Sequence, residues 1–122
     1  MTKRQWKRKI SEHMDALRID ARAYDAVVDS LAAILEQRDR TREEFEDSGG
    51  RSVIEYTNKG GSTNTVKNPL LVLWSDLNTS ALAYWRELGM TPASYRKMMG
   101  EAAQKQKELR PSLAAALMDL EG

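Results

Sequence analysis

The chain has 122 residues, with 19 Lys or Arg against 18 Asp or Glu, one histidine and no cysteine. That length predicts a single domain with a modest core, and the missing cysteine excludes disulfides, thiolate zinc clusters and thiol catalysis. A formal net charge of +1 does not fit a chain that coats nucleic acid along its whole surface.

The first segment, MTKRQWKRKI, is basic without an acid: Lys3, Arg4, Lys7, Arg8 and Lys9 fall within it. It lacks the apolar stretch of a signal peptide, and no apolar run approaches the ~18 residues of a membrane span. The expectation is a soluble cytoplasmic protein without a membrane partner. Trp6, Ile10, Met14 and Leu17 recur at steps of four, four and three, which predicts an amphipathic helix over about residues 2–17 with a basic outer side. That side is either a solvated helix face or a set of phosphate contacts.

Asp20 is placed to cap a second helix. Tyr24, Val27, Val28, Leu31, Ile34, Leu35 and Phe45 carry its apolar stripe. The far end is charged, with Glu36 and Arg40, and Arg42 and Glu46, at i,i+4 spacing, and Ser48-Gly49-Gly50 stops it. A continuous helix from Asp20 to Asp47 would be about 40 Å long, against a radius of gyration of ~13 to 14 Å for a compact domain of this size. It must project from the fold or pack on another subunit.

SVIEYT then reads as a strand, Asn58-Lys59-Gly60-Gly61 as turn chemistry and Thr63–Val66 as a return strand. The β-hairpin is expected at about residues 52–67, and it needs support because two strands alone are hardly stable in water. Asn68-Pro69 is a helix start, with Asn as N-cap and Pro at N1. Leu70, Trp74, Leu77, Ala81, Tyr84, Trp85 and Leu88 line one side of the helix that follows. Gly89 ends it. Thr91-Pro92 starts a short helix through Ser94, Tyr95, Arg96, Met98 and Met99, after which GEAAQKQKELR leads to Pro111 and a short Leu113, Leu117, Leu120 segment. Residues 1–99 are thus expected to form one helical domain for self-association and DNA recognition, with 100–122 a polar extension and amphipathic tail.

No catalytic set assembles from the sequence. His13 sits alone on a basic helix, without a nucleophile or an orienting acid in reach of its pattern. Lys59-Gly60-Gly61-Ser62 matches neither phosphate-cradling glycine motif. Glu43, Glu44, Glu46 and Asp47 diverge around a helix just after the alternating Arg38, Arg40 and Arg42, which points to solvation rather than a metal site. Trp74, Tyr84 and Trp85 at helical spacing fit core or subunit contacts better than a base-stacking platform. The expectation is a protein with no enzyme activity, no cofactor and no metal.

Asn68-Pro69-Leu70, followed by Glu87-Leu88-Gly89-Met90-Thr91-Pro92-Ala93-Ser94-Tyr95-Arg96, resembles the small terminase subunit of tailed double-stranded DNA phages and prophages, in the branch with an N-P-L helix start and an E-L-G-[LM]-T-P-x-S-x-R segment. The resemblance extends over about residues 5–98. It implies a mainly α protein, a long-helix hairpin-like core with a small β-hairpin insertion, assembling into a cyclic oligomer. It also implies viral genome packaging in the cytoplasm of an infected bacterial host, by recognition of the packaging site on double-stranded viral DNA and recruitment of the large terminase subunit, which carries the ATPase and nuclease. Within it, Lys3, Arg4, Lys7, Arg8 and Lys9 are the first candidates for DNA contact, followed by Lys59, Lys67 and Arg96. Tyr24, Val27, Leu31, Trp74, Leu77 and Trp85 are the candidates for packing between subunits.

Two other classes remain open at this point. A transcription regulator would use Ser94–Met99 as a recognition helix and bind a short palindrome as a dimer. An adaptor would bind protein through the Leu113, Leu117, Leu120 segment.

Overall fold

A computed structural model describes residues 1–121, with side chains described through residue 109. The protein is mainly helical, in the order α1 (Lys3–Ala16), α2 (Asp25–Asp47), β1 (Val53–Thr57), β2 (Thr63–Lys67), α3 (Pro69–Glu87) and α4 (Pro92–Glu121). It divides into two compact units, Met1–Tyr84 and Trp85–Gly122.

In the first unit, α1 packs on α2 and their joint face is the core. Ile10, Met14, Val28, Leu31 and Leu35 are its largest fully buried side chains. Each contributes about 1.5 to 3 kcal/mol of hydrophobic stabilisation relative to exposure. α1 begins with a reciprocal capping box: the Gln5 backbone N–H donates to Thr2 Oγ1 and the Thr2 N–H donates to Gln5 Oε1. Two of the amides that a helix start leaves unpaired are thereby satisfied.

α1 ends in a Schellman turn at a residue that is not glycine. Ile19 N–H reaches back to the Met14 carbonyl at 2.8 Å and Arg18 N–H to the Asp15 carbonyl at 3.0 Å, with Arg18 at φ 59°. Ile19 and Met14 are both buried, supplying the apolar contact that accompanies this motif. Asp20 is not the cap of α2. Its carboxylate accepts the Arg22 N–H at 3.0 Å, an Asx turn that leads the chain through residues 21–24, and α2 starts at Asp25 without a side-chain cap. The Tyr24 and Asp25 amides then bond the Ala21 and Arg22 carbonyls in i→i+3 turns, and the first α-type bond is Val28 N–H to the Tyr24 carbonyl, which explains the later start.

α2 covers 23 residues, about 34 Å at the usual rise. Its exposed side carries the expected i,i+4 ion pairs, Arg40 with Glu36 at 3.4 Å and Arg42 with Glu46 at 3.2 Å. Leu31, expected between subunits, is fully buried within the chain. It lies on the stripe of α2 that α1 covers, so its apolar surface is used inside the protomer. The helix closes on Gly49 and Gly50, where Gly50 N–H bonds the Phe45 carbonyl at 2.9 Å.

β1 and β2 form an antiparallel hairpin with Ile54 opposite Val66 and Tyr56 opposite Asn64. Its tip is a turn closed by Gly61 N–H on the Asn58 carbonyl, with Gly61 at φ 83°. The Asn58 side chain accepts from the Gly60 and Ser62 amides, each at 3.0 Å. This is the turn followed by a left-handed glycine that longer hairpin loops favour.

Asn68 ties the hairpin to α3. Its Oδ1 accepts the Leu70 N–H at 3.0 Å, its Nδ2 donates to the Arg51 carbonyl at 2.9 Å, and its own N–H donates to the Ser52 carbonyl at 2.9 Å. One buried side chain therefore caps the helix and holds the base of the hairpin, giving the two strands part of the support they lack alone. α3 meets α2 through long polar side chains: Arg38 donates to Asn78 Oδ1 at 3.1 Å, and the Arg42 guanidinium lies 5.5 Å from the Trp74 ring centroid.

In the second unit, α3 closes on Gly89 at φ 72°, with Met90 N–H on the Trp85 carbonyl at 2.9 Å and Gly89 N–H on the Arg86 carbonyl at 3.0 Å. Thr91 then caps α4. α4 is one helix of 30 residues and does not stop after Met99 or at Pro111. The polar stretch after Met99 is rich in Glu, Ala, Gln and Lys, all strong helix formers. Their summed propensity favours the continued helix. Leu113, Leu117 and Leu120 lie outside the residues whose side chains are described.

Candidate functional site

The basic residues of α1 fall into separate environments. Lys3 and Lys7 lean toward α2: Lys3 Nζ is 2.9 Å from Asp29 Oδ2, and Lys7 Nζ is 3.1 Å from Asp25 Oδ1 and 3.5 Å from Asp29 Oδ1. The Asp25 hydrogen bond raises the pKa of Lys7; desolvation opposes it, and the charges of Asp25 and Asp29 and the Asp29 hydrogen bond add to it. The Lys3 hydrogen bond, against the opposing effect of desolvation and with the help of the Lys3 and Lys7 charges and the Lys7 hydrogen bond, holds Asp29 below its ordinary range. Lys9 Nζ lies 5.4 Å from the centroid of the Trp6 ring, a cation–π contact. Arg4 and Arg8 are exposed and have no ion pair among the described residues.

Trp6 organises the seam between α1 and α2. Its ring has Lys9 on one side and Arg38 at 5.6 Å. Its Nε1 donates to Asp39 Oδ2, which also accepts from the N-terminal ammonium at 3.1 Å. Burial pushes the Asp39 carboxyl up, but the Trp6 bond, the ammonium and Arg38 outweigh it and hold the group below its ordinary pKa. Lys3 N–H donates to Glu36 Oε2 at 2.6 Å. Sequence periodicity identifies Trp6 as apolar but not Asp39 or Glu36 as neighbours of α1; the only local signal is acid on a face otherwise turned toward α1.

The other cations expected near DNA lie on other elements. Lys59 is exposed at the hairpin tip and Lys67 is exposed at the base of β2. Lys67 also lines an open cleft of about 490 Å³ with Val53, Leu71, Val72 and Asp76, among others. Arg96 is exposed on the first turn of α4 in the second unit. Ser94 is committed to the corner: its hydroxyl lies 2.6 Å from Thr91 Oγ1, the Thr91 N–H donates to it at 3.2 Å, and it bonds the Thr91 carbonyl at 3.1 Å. Glu87 to Arg96 thus defines a helix end and a helix start.

Of the expected subunit contacts, Tyr24 is 49% exposed, while Val27, Trp74, Leu77 and Trp85 are half-buried. The surface carries further large apolar groups outside the expected set: Val53 and Tyr56 on the hairpin, and Val72, Leu73 and Leu82 on α3. Among the described residues no group of three or more His, Asp or Glu is placed to hold a metal, and no helix is long and apolar enough to cross a membrane.

These features place the chemistry of the described residues in charged and apolar surfaces set on a mainly helical frame. The family model for the phage terminase small subunit matches residues 2–105, and the chain belongs to that family. Its general role is therefore phage genome packaging. No curated protein and no solved structure matches the chain.

Proposed function

We propose that the protein is a non-catalytic packaging component in the cytoplasm of the infected host, which assembles into a cyclic homo-oligomer, binds the packaging site on viral double-stranded DNA and recruits the large terminase subunit. Family membership across residues 2–105 carries this reading. The apolar groups left exposed on one chain support the assembly: Tyr24, Tyr56, Val72, Leu73 and Leu82 would be covered by neighbouring copies, together with the half-buried Val27, Trp74, Leu77 and Trp85. Leu31 is left out of that set because the protomer's own core uses it. Scattered exposed apolar residues are ordinary, but several on one helix and the adjoining hairpin mark an interaction surface.

The basic start of α1 is the proposed DNA contact, with Lys59, Lys67 and Arg96 as secondary sites. A ring repeats each weak contact in every subunit, so a few cations per chain supply useful avidity. Ser94 has its hydroxyl engaged by Thr91, which removes a polar reader from the recognition helix a transcription regulator would need.

Native mass spectrometry tests the assembly and gel shifts with phage-end DNA test the binding. A closed oligomer that retards duplex DNA and co-purifies with the large subunit is expected. A stable monomer at micromolar concentration, or no retention of DNA at low salt, would refute the reading.

A further inference from the structure

Resting on the proposal that α1 meets DNA, we infer that Arg4 and Arg8 are the phosphate-contacting pair of α1, and that Lys3 and Lys7 are structural cations spent on holding α1 to α2.

Five cations crowd the start of α1, and the fold sorts them. Lys3 and Lys7 each face acids of α2, at 2.9 Å from Asp29 and 3.1 Å from Asp25. On that flank two ammonium groups meet two carboxylates, so its net charge is zero. A phosphate approaching there would have to displace Asp25 or Asp29 and then sit beside the displaced negative charge. Lys9 is exposed and without an ion pair among the described residues, but its ammonium lies over the Trp6 ring, about 100° around the helix from Arg8. Arg4 and Arg8 remain exposed, without an ion pair among the described residues.

Helical geometry then puts these two side chains together. Four residues apart, they lie within about 40° of one another around the axis and about 6 Å apart along it. They project from the side opposite Trp6, Ile10 and Met14, the residues that face α2. Arginine suits the role: its planar fork donates two parallel N–H groups to phosphate oxygens and is less strongly hydrated than an ammonium. The chemistry recognised is the sugar-phosphate backbone, which positions a duplex without reading its sequence.

Fluorescence anisotropy of a labelled duplex, titrated with the full-length protein at several salt concentrations, tests the assignment. Arg4→Gln with Arg8→Gln is expected to weaken binding at least about tenfold at low salt and to make the log–log salt slope shallower by about 0.9 for each phosphate that is no longer neutralised. Both sites are exposed, so the thermal midpoint of that variant stays at the wild-type value. The charge-balanced variant Lys3→Gln, Lys7→Gln, Asp25→Asn and Asp29→Asn is expected to keep the wild-type slope. Salt-dependent wild-type binding with an unchanged slope in R4Q/R8Q would overturn the assignment alone, as would an equal loss of slope in the charge-balanced variant. Failure of the wild-type protein to bind duplex DNA would overturn the packaging reading and the assignment with it.

Discussion

Trp6 Nε1 donates a 2.6 Å hydrogen bond to Asp39 Oδ2 across the seam between α1 and α2. The N-terminal ammonium shares that oxygen at 3.1 Å, and Arg38 Nη2 bonds the other at 3.3 Å. A half-buried carboxylate thus fastens the start of α1 to the middle of α2. Trp6→Phe keeps most of the ring and removes the donor, and is expected to cost about 1.5 kcal/mol, the lower end for a hydrogen bond to a charged group. Urea unfolding of W6F, D39A and the double variant isolates the coupling. Additive single effects would show that the bond contributes nothing.

The same seam sets an acid limit. Asp29 and Asp39 have folded-state pKa values below those of the unfolded chain. Their stabilising effect is therefore fully present above the unfolded carboxylate value of about 3.9 and is lost as pH falls through the depressed folded values. Lys7 is shifted upward, so its contribution is complete below an unfolded value of about 10.4 and is lost only as pH rises beyond it. The α1–α2 pair should hold a constant thermal midpoint near neutrality and lose stability below about pH 4. Asp39→Asn should flatten that acid limb in a circular dichroism melt series; an unchanged limb would place the acid sensitivity elsewhere.

Asn68 gives a sharper test than an ordinary N-cap, because it both accepts from Leu70 N–H and donates to the Arg51 carbonyl. Asn68→Ala is expected to destabilise by about 1 to 2 kcal/mol. At a simple N-cap Asp replaces Asn without loss. Here Asp would keep the acceptor but turn a carboxylate oxygen toward the Arg51 carbonyl, so N68D should recover little of the stability lost in N68A. Full rescue by Asp would mean that the link to the hairpin base carries no energy.

Arg18 occupies the left-handed position of the α1 Schellman turn at φ 59°. A side chain there costs about 1 to 2 kcal/mol, against the ~0.5 to 1 kcal/mol that glycine's freedom in the unfolded chain takes back. Arg18→Gly should therefore stabilise by about 0.5 to 1 kcal/mol. Gly89→Ala, at φ 72°, should move the thermal midpoint the opposite way. A destabilised R18G would show that the arginine side chain makes a compensating contact.

The parts of the fold legible in the sequence are those governed by short-range chemistry. Asn68-Pro69 and Thr91-Pro92 cap helices, Gly49-Gly50 and Gly89 close them, and Asn58 with Gly61 turns the hairpin; each signal acts within about one helical turn or one loop. Where local rules mislead, a competing local bond or an unexpected residue type is responsible. Asp20 opens a run of i→i+3 turns through Asp25 rather than α2 itself, and Arg18 stands where glycine is usual, so the end of α1 carries no glycine signal. Thr91-Pro92 starts what reads as a short helix through Met99, yet α4 runs on to Glu121.

Local patterns in the sequence set the helical class, the hairpin and the helix end and restart at Gly89–Pro92, and they carry the resemblance that family membership bears out. The sequence presents five cations at the start of α1 as equals, because charge and spacing do not say what lies opposite. Only the tertiary structure, by packing α1 on α2, set Lys3 and Lys7 against Asp25 and Asp29, gave Trp6 its carboxylate and buried Leu31. Those partners are tens of residues apart in the chain, and which of them meet depends on how two helix faces dock, a relationship that no local pattern contains.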